Sequence, residues 1–237
     1  MIHNLDCLEF LKRTPQVKCL FADIPDNIGQ AYVSYNDKKN SVDYYNWVNL
    51  LILEALPKCQ IFWLTYFPKH DLELSWIVRD IIKYRHPSFT VDKFLWRFTF
   101  SQYNANDCAY GYRPLMRFRR SDARLYPEAI MEQSKRQILG DARANPEGRV
   151  PDNVWDIPRI VGNSHERVDW MPNQLPIDLL KRVMLFSVSE NEVFIDLFGG
   201  SGSALMAAKD LGRLSNTHVV EIDPTSCKKI AERIDGK

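Results

Sequence analysis

The sequence predicts a doubly wound α/β fold built on a mostly parallel β-sheet. Short apolar runs of strand character alternate along the chain with longer segments whose apolar residues recur at helical spacing. Near the C-terminal end, an apolar run, a turn with three glycines and a helical segment follow one another at residues 193–211. Open parallel sheets bind ligands at such turns, because the N–H groups at the helix start are free. The length of 237 residues and the 45% hydrophobic content suit one domain with a modest insertion.

Regular elements can be assigned over most of the chain. Strands are predicted at 17–22, 60–65, 93–100, 193–197 and 217–222, and helices at 43–56, 70–84, 172–186 and 203–211. A short strand and a helix start are expected around Asp6, which could equally be a helix N-cap. Trp47, Trp63 and Trp76 occupy apolar positions of these elements and are predicted to be core residues.

The composition argues against several classes of protein. The five cysteines are odd in number, scattered and in no CxxC pair, so neither a disulfide framework nor a metal site is predicted. No apolar run reaches the roughly eighteen residues of a membrane span. We therefore expect a cytoplasmic protein that has no membrane partner.

The segment 101–153 lacks periodicity and is predicted to be a small basic insertion. Between Arg79 and Arg149 the chain has 14 Lys and Arg residues against 8 Asp and Glu, although its overall net charge is only +1. Arginines and aromatic residues alternate at 110–126, and both types bind nucleic acid, through phosphates, guanine edges and stacking on displaced bases. The candidate contacts are Tyr66, Trp96, Arg113, Arg117, Arg119, Arg120 and Arg124. A solvated basic loop, with Tyr66 and Trp96 in the core, is the alternative.

The glycine turn at 199–202 predicts a cofactor site. Glycines permit the unusual φ values of such a turn and let a ligand approach the backbone. Glu221 follows the turn by about twenty residues, at the end of the next strand, where a carboxylate binds ribose hydroxyls in nucleotide sites. A tight connection without a ligand is the alternative. Because this unit comes almost last, most of the sheet must be built from the sequence that precedes it.

Five segments in a fixed order carry a resemblance to a known family. They are Asp6-Cys7 within Asp-Cys-Leu-Glu-Phe-Leu-Lys, the tetrapeptide Asp23 to Asp26, the stretch 155–182, the Phe-Gly-Gly-Ser-Gly loop at 198–202, and Glu221. Together they resemble the permuted, beta-class DNA amino-methyltransferases that use S-adenosylmethionine. The resemblance covers about the first hundred residues and everything after Val154. It implies a Rossmann-like methyltransferase fold in which the catalytic motif precedes the cofactor motif.

The resemblance also implies a role for each segment. S-adenosylmethionine is expected at Asp6, Cys7, Asp196, Phe198, Gly200, Ser201, Gly202, Ser203 and Glu221. The catalytic tetrapeptide is expected at Asp23, Ile24, Pro25 and Asp26. The Asp23 side chain and the Ile24 carbonyl are expected to accept hydrogen bonds from the exocyclic amino group of a flipped base. Residues 1–100 correspond to the catalytic half, 101–153 to the target-recognition insertion and 154–237 to the cofactor-binding half.

Two residues depart from the family's Asp-Pro-Pro-aromatic tetrapeptide. Ile24 replaces the first proline, which the mechanism tolerates because it uses the backbone carbonyl. Asp26 stands where the family has an aromatic residue that stacks on the flipped base, and a carboxylate cannot stack. Three explanations stay open. The stacking face comes from elsewhere, Asp26 hydrogen-bonds an unusual target, or activity has been lost. The candidates for another stacking face are Tyr32, Tyr35, Tyr66 and Trp96.

The expected activity is methylation of DNA at adenine N6. Family members that act on cytosine N4 usually begin the tetrapeptide with Ser, whereas this chain has Asp23. Duplex DNA with a flipped base is the expected partner, and the resemblance is compatible with a homodimer and with a bacterial or phage-infected cell. The alternatives are a cytosine-N4 methyltransferase, an RNA or small-molecule amino-methyltransferase, and a non-catalytic DNA-binding subunit.

Overall fold

The computed structural model describes residues 1–32, 34–98 and 104–236. Its strands are β1 (Ile2–Asn4), β2 (Val17–Asp23), β3 (Cys59–Thr65), β4 (Phe89–Arg97), β5 (Tyr112–Arg120), β6 (Val154–Asp156), β7 (Phe194–Asp196) and β8 (Thr217–Glu221). Its helices are α1 (Cys7–Arg13), α2 (Ser41–Ala55), α3 (Asp71–Tyr84), α4 (Lys135–Ile138), α5 (Ile177–Ser187), α6 (Ser203–Asp210) and α7 (Pro224–Asp235).

The eight strands form one sheet in the order β1-β8-β7-β2-β3-β5-β4-β6. Neighbouring strands are parallel except at β5, which is antiparallel to both β3 and β4. The predicted doubly wound, mostly parallel sheet is thereby confirmed. The strand order reverses beside β2, because the chain leaves β2 toward β3 and later returns to its other side as β7. Ligands of open α/β sheets bind at such a switch point, at the carboxyl ends of the strands.

The central strands are buried on both faces. Along β2, Leu20 and Ala22 belong to a core shared with α1, α2 and α3, whereas Cys19 and Phe21 belong to a second core shared with α5 and α6. All four residues are fully buried. This explains the continuous apolar run of the strand, because a strand covered by helices on both faces shows no polar alternation. Trp63, on β3, is fully buried in the second core, as predicted.

Three sequence predictions need correction. The insertion is smaller than 101–153, because Tyr112–Arg120 forms β5 inside the sheet and pairs with β3 and β4. The strand predicted at 93–100 begins earlier, at Phe89, and its last two predicted residues lie outside the described ranges, as do residues 101–103. Trp76 lies on the solvent side of α3, 54% exposed, where its ring stacks on the Arg79 guanidinium.

The described parts of the chain include no helix long and apolar enough to cross a membrane. The same residues contain no group of three or more His, Cys, Asp and Glu side chains arranged to bind a metal ion.

Candidate functional site

A cleft opens at the carboxyl ends of β2, β7 and β8, at the switch point of the sheet. Its empty volume is about 1130 Å³, including the part open to solvent. Its wall combines residues from four distant parts of the chain: residues 5–7, nine residues between 23 and 47, Arg113, and residues between 170 and 226. The catalytic and cofactor motifs predicted from the sequence therefore share one cleft.

The glycine turn after β7 is held by hydrogen bonds that its backbone N–H groups donate. The N–H of Phe198 donates to the Asp196 side chain at 3.0 Å, and the N–H of Gly199 donates to the Val220 carbonyl at 2.7 Å. Gly200 and Gly202 have φ values of +52° and +80°, which explains why glycine is needed there. Burial raises the pKa of Asp196 well above its ordinary value, although the Phe198 N–H opposes this shift.

Glu221 connects the turn to the end of β8. Its two carboxylate oxygens accept the N–H of Gly200 at 2.8 Å and the N–H of Asp223 at 2.9 Å. Burial raises the pKa of Glu221, and the two N–H groups work against that rise. Glu221 thus fixes the shape of the turn from the position predicted to bind ribose.

The predicted cofactor residues fall into two groups. Those that line the cleft are Asp6, Cys7, Phe198, Gly200 and Glu221. Those that do not line it are Asp196, Ser201, Gly202 and Ser203. The second group supports the turn and the start of α6 instead. For example, the Ser203 hydroxyl donates to the Leu175 carbonyl at 2.7 Å.

Asp6 is both a helix cap and part of the cleft wall. Its side chain accepts the N–H groups of Leu8 and Glu9 at 2.8 and 3.3 Å, so the N-cap alternative is correct. Cys7, the first residue of α1, is buried, and burial raises the pKa of its thiol to about 12. The Cys7 thiol is therefore a neutral, weakly polar wall of the cleft at neutral pH.

The tetrapeptide at the end of β2 is fixed mainly through its backbone. The N–H of Ile24 donates to the Thr65 carbonyl at 3.2 Å, and the Pro25 carbonyl accepts the Tyr44 hydroxyl at 2.8 Å. The Asp26 carbonyl accepts Nε2 of His70 at 2.8 Å. Because Pro25 has no N–H and a fixed φ, these bonds leave the segment little freedom.

The tautomer of His70 follows from its partners. A carbonyl oxygen only accepts, so Nε2 carries the proton, and Nδ1 accepts the Tyr45 hydroxyl at 2.9 Å. Burial lowers the pKa of His70, in agreement with a neutral ring. Sequence reasoning missed this support from α2 and from the residue that precedes α3, because none of the residues involved lies in a motif.

The side chains of Asp23 and Asp26 are joined by one arginine. Nη2 of Arg113 donates to Asp23 Oδ1 at 2.6 Å and to Asp26 Oδ1 at 2.7 Å, and its Nε donates to Thr65 Oγ1 at 3.2 Å. Burial raises the pKa of Asp23 to about 6, with Asp26 adding to the rise and Arg113 reducing it. Burial lowers the pKa of Arg113, but the two carboxylates outweigh burial and the net shift is upward. Arg113 therefore stays a cation inside the cleft.

The loop after the tetrapeptide folds around a single buried carboxylate. Asp37 accepts the N–H groups of Asn27, Ile28 and Gln30 at 2.8 to 3.1 Å. Asn27 has a φ of +51°, a conformation that Asn tolerates better than most residues. Further along this loop, the Ser34 hydroxyl donates to Asp223 at 2.8 Å. The loop thus connects the part of the chain that carries the tetrapeptide to the start of α7 across the cleft.

Five aromatic side chains line the cleft, namely Tyr32, Tyr35, Trp47, Trp170 and Phe198. Trp47 was expected in the core, but it is only half-buried and contacts Phe198 edge to face. The Tyr35 hydroxyl and the Trp170 Nε1 are buried and have no hydrogen-bond partner among the described residues. Buried donors normally find partners. Aromatic walls and two unpaired donors suit an adenosine ligand that carries hydroxyl, carboxylate and ring-nitrogen acceptors.

Three of the predicted nucleic-acid contacts are core residues instead. Tyr66 is fully buried and donates its hydroxyl to Asp71, and Trp96 is buried with its Nε1 donating to the Ile157 carbonyl. Arg117 is buried among the rings of Trp63, Phe94 and Phe186 and pairs with Asp92 at 2.5 Å. The core alternative is correct for Tyr66, which directly follows β3, and for Trp96, which lies on β4, because both side chains are covered by other elements.

The other predicted arginines separate along β5. Arg113 lies at the cleft end, beyond the Leu115–Thr65 pair, whereas Arg120 pairs with Phe89 at the far end. Seven residues of strand place them roughly 23 Å apart. Arg119 and Arg120 therefore lie away from the cleft, as does the exposed Arg124, which stacks on Tyr126. The alternating arginines in the sequence give no sign that Arg113 lies apart from the others.

The whole architecture matches known DNA methyltransferases. The family model described as DNA methylase, covering N6 and N4 methylases, matches residues 17–232. The Type II methyltransferase M.BamHI of Bacillus amyloliquefaciens is 28% identical over 249 residues and is matched by the whole chain, which spans 57% of that protein. The DNA adenine methyltransferase YhdJ of Escherichia coli K12 is 29% identical over 229 residues, covering 90% of this chain and 75% of YhdJ.

Solved structures share the fold. The M1.HpyAVI complex with S-adenosylmethionine superposes with a TM-score of 0.68 at 15% identity, over 99% of this chain and 98% of that one. The PvuII DNA methyltransferase, described as cytosine-N4-specific, superposes with a TM-score of 0.72 at 14% identity, over 98% and 85% of the two chains. Since the family model spans most of the sequence, the chain belongs to the N6/N4 DNA methylase family.

Proposed function

We propose that this chain transfers the methyl group of S-adenosylmethionine to the exocyclic amino group of a DNA base, with adenine N6 as the target. The observation that carries the proposal is that Asp23 lines the same cleft as Gly200 and Glu221. Methyl transfer needs the amino group and the methyl donor side by side, and little other chemistry, since the methyl group on a sulfonium is already activated.

The residues proposed for the cofactor are Asp6, Cys7, Phe198, Gly200 and Glu221, together with Tyr35 and Trp170. When bound, S-adenosylmethionine supplies a methyl carbon on a positively charged sulfur, and the bond that breaks leaves its electron pair on that sulfur. The unpaired hydroxyl of Tyr35 and the N–H of Trp170 supply donors for its polar atoms. The supporting residues Asp196 and Ser203 hold the turn and α6 in place.

The tetrapeptide orients the attacking nitrogen. The ionised Asp23 and the Ile24 carbonyl accept the two amino hydrogens, which directs the nitrogen lone pair toward the methyl carbon. As the new N–C bond forms, the nitrogen loses one proton, and Asp23 is the base that accepts it. The hydrogen bonds from Tyr44 and His70 to the backbone of residues 25 and 26 keep both acceptors in register.

The first residue of the tetrapeptide favours adenine over cytosine. The tetrapeptide begins with Asp23, as expected for adenine methylation, whereas the similar proteins include both the adenine methyltransferase YhdJ and the cytosine-N4-specific PvuII enzyme. We place the activity in the bacterial cytoplasm, since the relatives named above come from bacteria. Of the insertion predicted at 101–153, we keep residues 121–153, which include the exposed Arg124, as the proposed target-recognition part of the chain.

The test is a methylation assay with nucleoside analysis. The protein is incubated with methyl-labelled S-adenosylmethionine and with unmethylated bacterial genomic DNA, the same DNA denatured, or RNA, and the digested nucleosides are identified by mass spectrometry. We expect N6-methyladenine in duplex DNA, and a loss of about 100-fold or more for Asp23→Asn, which removes the charged acceptor. Asp80→Asn, an exposed carboxylate paired with Arg79 on α3, is the control.

Each other outcome overturns a defined part of the proposal. N4-methylcytosine contradicts the choice of base, and label in RNA alone contradicts DNA as the substrate. Label in no substrate contradicts methyl transfer and favours a non-catalytic DNA-binding subunit. Undiminished activity in Asp23→Asn contradicts the assignment of the tetrapeptide.

A further inference from the structure

Three charged side chains meet at the tetrapeptide end of the cleft, where the family tetrapeptide supplies one. Asp23 and Asp26 are carboxylates, and Arg113 bridges them at 2.6 and 2.7 Å. Their formal charges sum to −1. The family tetrapeptide also carries −1, from its one Asp beside a neutral aromatic ring. Asp26 and Arg113 together therefore carry no net charge, like the neutral aromatic residue that they would replace.

We propose that Asp26 and Arg113 act as one unit in place of the family's base-stacking residue, with Asp26 fixing the guanidinium and the guanidinium contacting the target base. This inference rests on the proposed methyl transfer, because it assigns the base-binding part of that same site. Arg113 is then a base-contacting residue, and Asp26 is a positioning residue that acts through it.

The guanidinium is held by acceptors from three places in the fold. Asp23 ends β2, Asp26 belongs to the loop that follows, and Thr65 ends β3. A guanidinium is planar with donors in fixed directions, so three acceptors define its plane. The Nη1 atom takes no part in these three bonds. Although Arg113 is almost buried, it is part of the cleft wall, so the remaining face or edge is presented to a ligand.

Arg113 contacts the base because both are hydrogen-bond partners of Asp23. An amino group that donates to Asp23 must lie about 3 Å from that carboxylate. The guanidinium Nη2 is already 2.6 Å from Asp23 Oδ1. A base bound for reaction therefore lies next to Arg113. Guanidinium planes stack on bases as aromatic rings do, which supplies the planar surface that Asp26 cannot provide.

Asp26 is less accessible to a base than Asp23. Both carboxylates are bonded to Arg113 through Oδ1, but the Asp23 side chain is 19% exposed and the Asp26 side chain is only 7% exposed. Of the three explanations left open by the sequence, direct hydrogen bonding of an unusual target by Asp26 is thus disfavoured. A loss of activity is also disfavoured, because decay does not explain a compensating arginine 87 residues away in the chain.

Arg113 also sets the ionisation of Asp23. The groups that face Asp23 are Arg113 on β5, Asp26 and Tyr32 on the following loop, and the buried Asp196 on β7. Of these only Arg113 is a cation. Removing it leaves neighbouring carboxyl groups that favour the protonated form of Asp23. An ionised Asp23 is needed as acceptor. As the pH is lowered, such a variant therefore loses its activity at a higher pH than the wild type does.

The test compares four variants of the full chain with the wild type: Arg113→Gln, Arg113→Lys, Asp26→Tyr and the double variant Asp26→Tyr/Arg113→Gln. Steady-state methylation gives kcat and KM as a function of pH. Calorimetry gives the Kd for S-adenosylmethionine, and circular dichroism confirms the fold. Arg79→Gln is the matched control, because Arg79 pairs with Asp80 on the exposed face of α3.

The expected results distinguish the effect of the Arg113 charge from the effect of its planar shape. Arg113→Gln lowers kcat by about 100-fold and moves the acidic limb of the pH profile upward by at least about one pH unit, while the Kd for the cofactor stays unchanged. Arg113→Lys keeps the position of the limb but still lowers kcat by about 10-fold, because it has charge without a plane. Asp26→Tyr alone also loses activity. The double variant, which recreates the family's composition, recovers at least about 10-fold over each single variant.

Several results would overturn the inference. These are a folded Arg113→Gln protein with wild-type kcat and pH profile, an Arg113→Lys protein with full kcat, or a double variant whose loss equals the product of the single losses. If the wild type methylates nothing, the proposed function fails separately. A ¹³C NMR titration of Asp23 in wild type and Arg113→Gln then still tests the pairing, since an unchanged titration of Asp23 contradicts it.

Discussion

Glu221 shapes the glycine turn, and its proposed second role is to bind the cofactor. Its carboxylate accepts two backbone N–H groups, from Gly200 in the turn and Asp223 at the start of α7. The two bonds together leave acceptor sites free, because a carboxylate has about four lone-pair sites. A ribose hydroxyl can therefore donate to Glu221 without displacing the bonds that shape the turn.

We predict that Glu221→Gln weakens cofactor binding by about 10-fold or more. Glutamine offers one acceptor oxygen, so its NH₂ group must face one of the two backbone N–H donors. The turn loses a bond, and the ribose loses an acceptor. Calorimetric titration with S-adenosylmethionine measures the effect, with the exposed Glu190→Gln as control. Unchanged affinity in a folded variant would show that Glu221 shapes the turn only.

Residue identities in the motifs were readable from the sequence, whereas their partners were not. Asp23, Gly200 and Glu221 line the cleft together as expected. The bond between Arg113 and Asp23 spans 90 residues of chain, and no spacing rule connects such positions. The sequence marked Arg113 only as one of several basic residues. Arg113 differs from the other arginines because the start of β5 pairs with the end of β3, which lies at the cleft.

At the scale of elements, the strand, turn and helix around the glycines depend on close packing against α7. Gly202 is the N-cap of α6 and has a φ of +80°. A Cβ added there would lie 2.8 Å from Cγ2 of Ile230, and 3.3 and 3.5 Å from two further atoms of the same side chain. Ile230 is fully buried on α7 and β-branched, so it has few alternative positions.

Gly202→Ala should therefore destabilise the protein more than Gly212→Ala. Both glycines have positive φ, but a Cβ at Gly212 meets nothing within 4 Å. Gly212→Ala carries only the conformational strain of about 1–2 kcal/mol. Gly202→Ala adds an overpacking cost of about 1–3 kcal/mol. Urea unfolding of both variants measures the difference, and Ile230→Ala in the Gly202→Ala background should recover part of it. Equal losses at the two glycines would refute the packing argument.

Elements with continuous apolar runs were predictable, and β5 was not. The strands β2 and β3 are covered by helices on both faces, which makes their sequences distinctive. In β5, four arginines surround Leu115, Met116 and Phe118, so the segment resembles a polar loop. Arg117 packs its guanidinium against core rings and pairs with Asp92, a neutralisation that only the folded sheet provides. The apolar residues at 115, 116 and 118 were the available signal.

At the scale of the molecule, the late position of the glycine turn is a consequence of the strand order. Because β7 pairs with β2, the last third of the chain returns to the strand that carries Asp23. The sequence could predict that earlier residues supply the rest of the sheet. It could not give the antiparallel strand β5, which brings Arg113 to the same cleft from the middle of the chain.

The same arrangement means that S-adenosylmethionine should stabilise both halves together. The cleft wall joins 5–7 and 23–47 to 170–226, and Ser34 already bonds to Asp223 across it. A ligand at about 100 times its Kd adds about 2.7 kcal/mol to stability, which corresponds to a Tm increase of about 5–10 °C for a chain of this size. Differential scanning calorimetry measures the increase. Hydrogen exchange should show added protection around Cys7 and Tyr35 as well as around Gly200 and Glu221. Methionine alone, which lacks the adenosine part, is the control and should protect neither region at the same concentration. Protection confined to the Gly200 and Glu221 region would contradict a cofactor site shared by the two halves, because a ligand that contacts both segments must slow the opening of both.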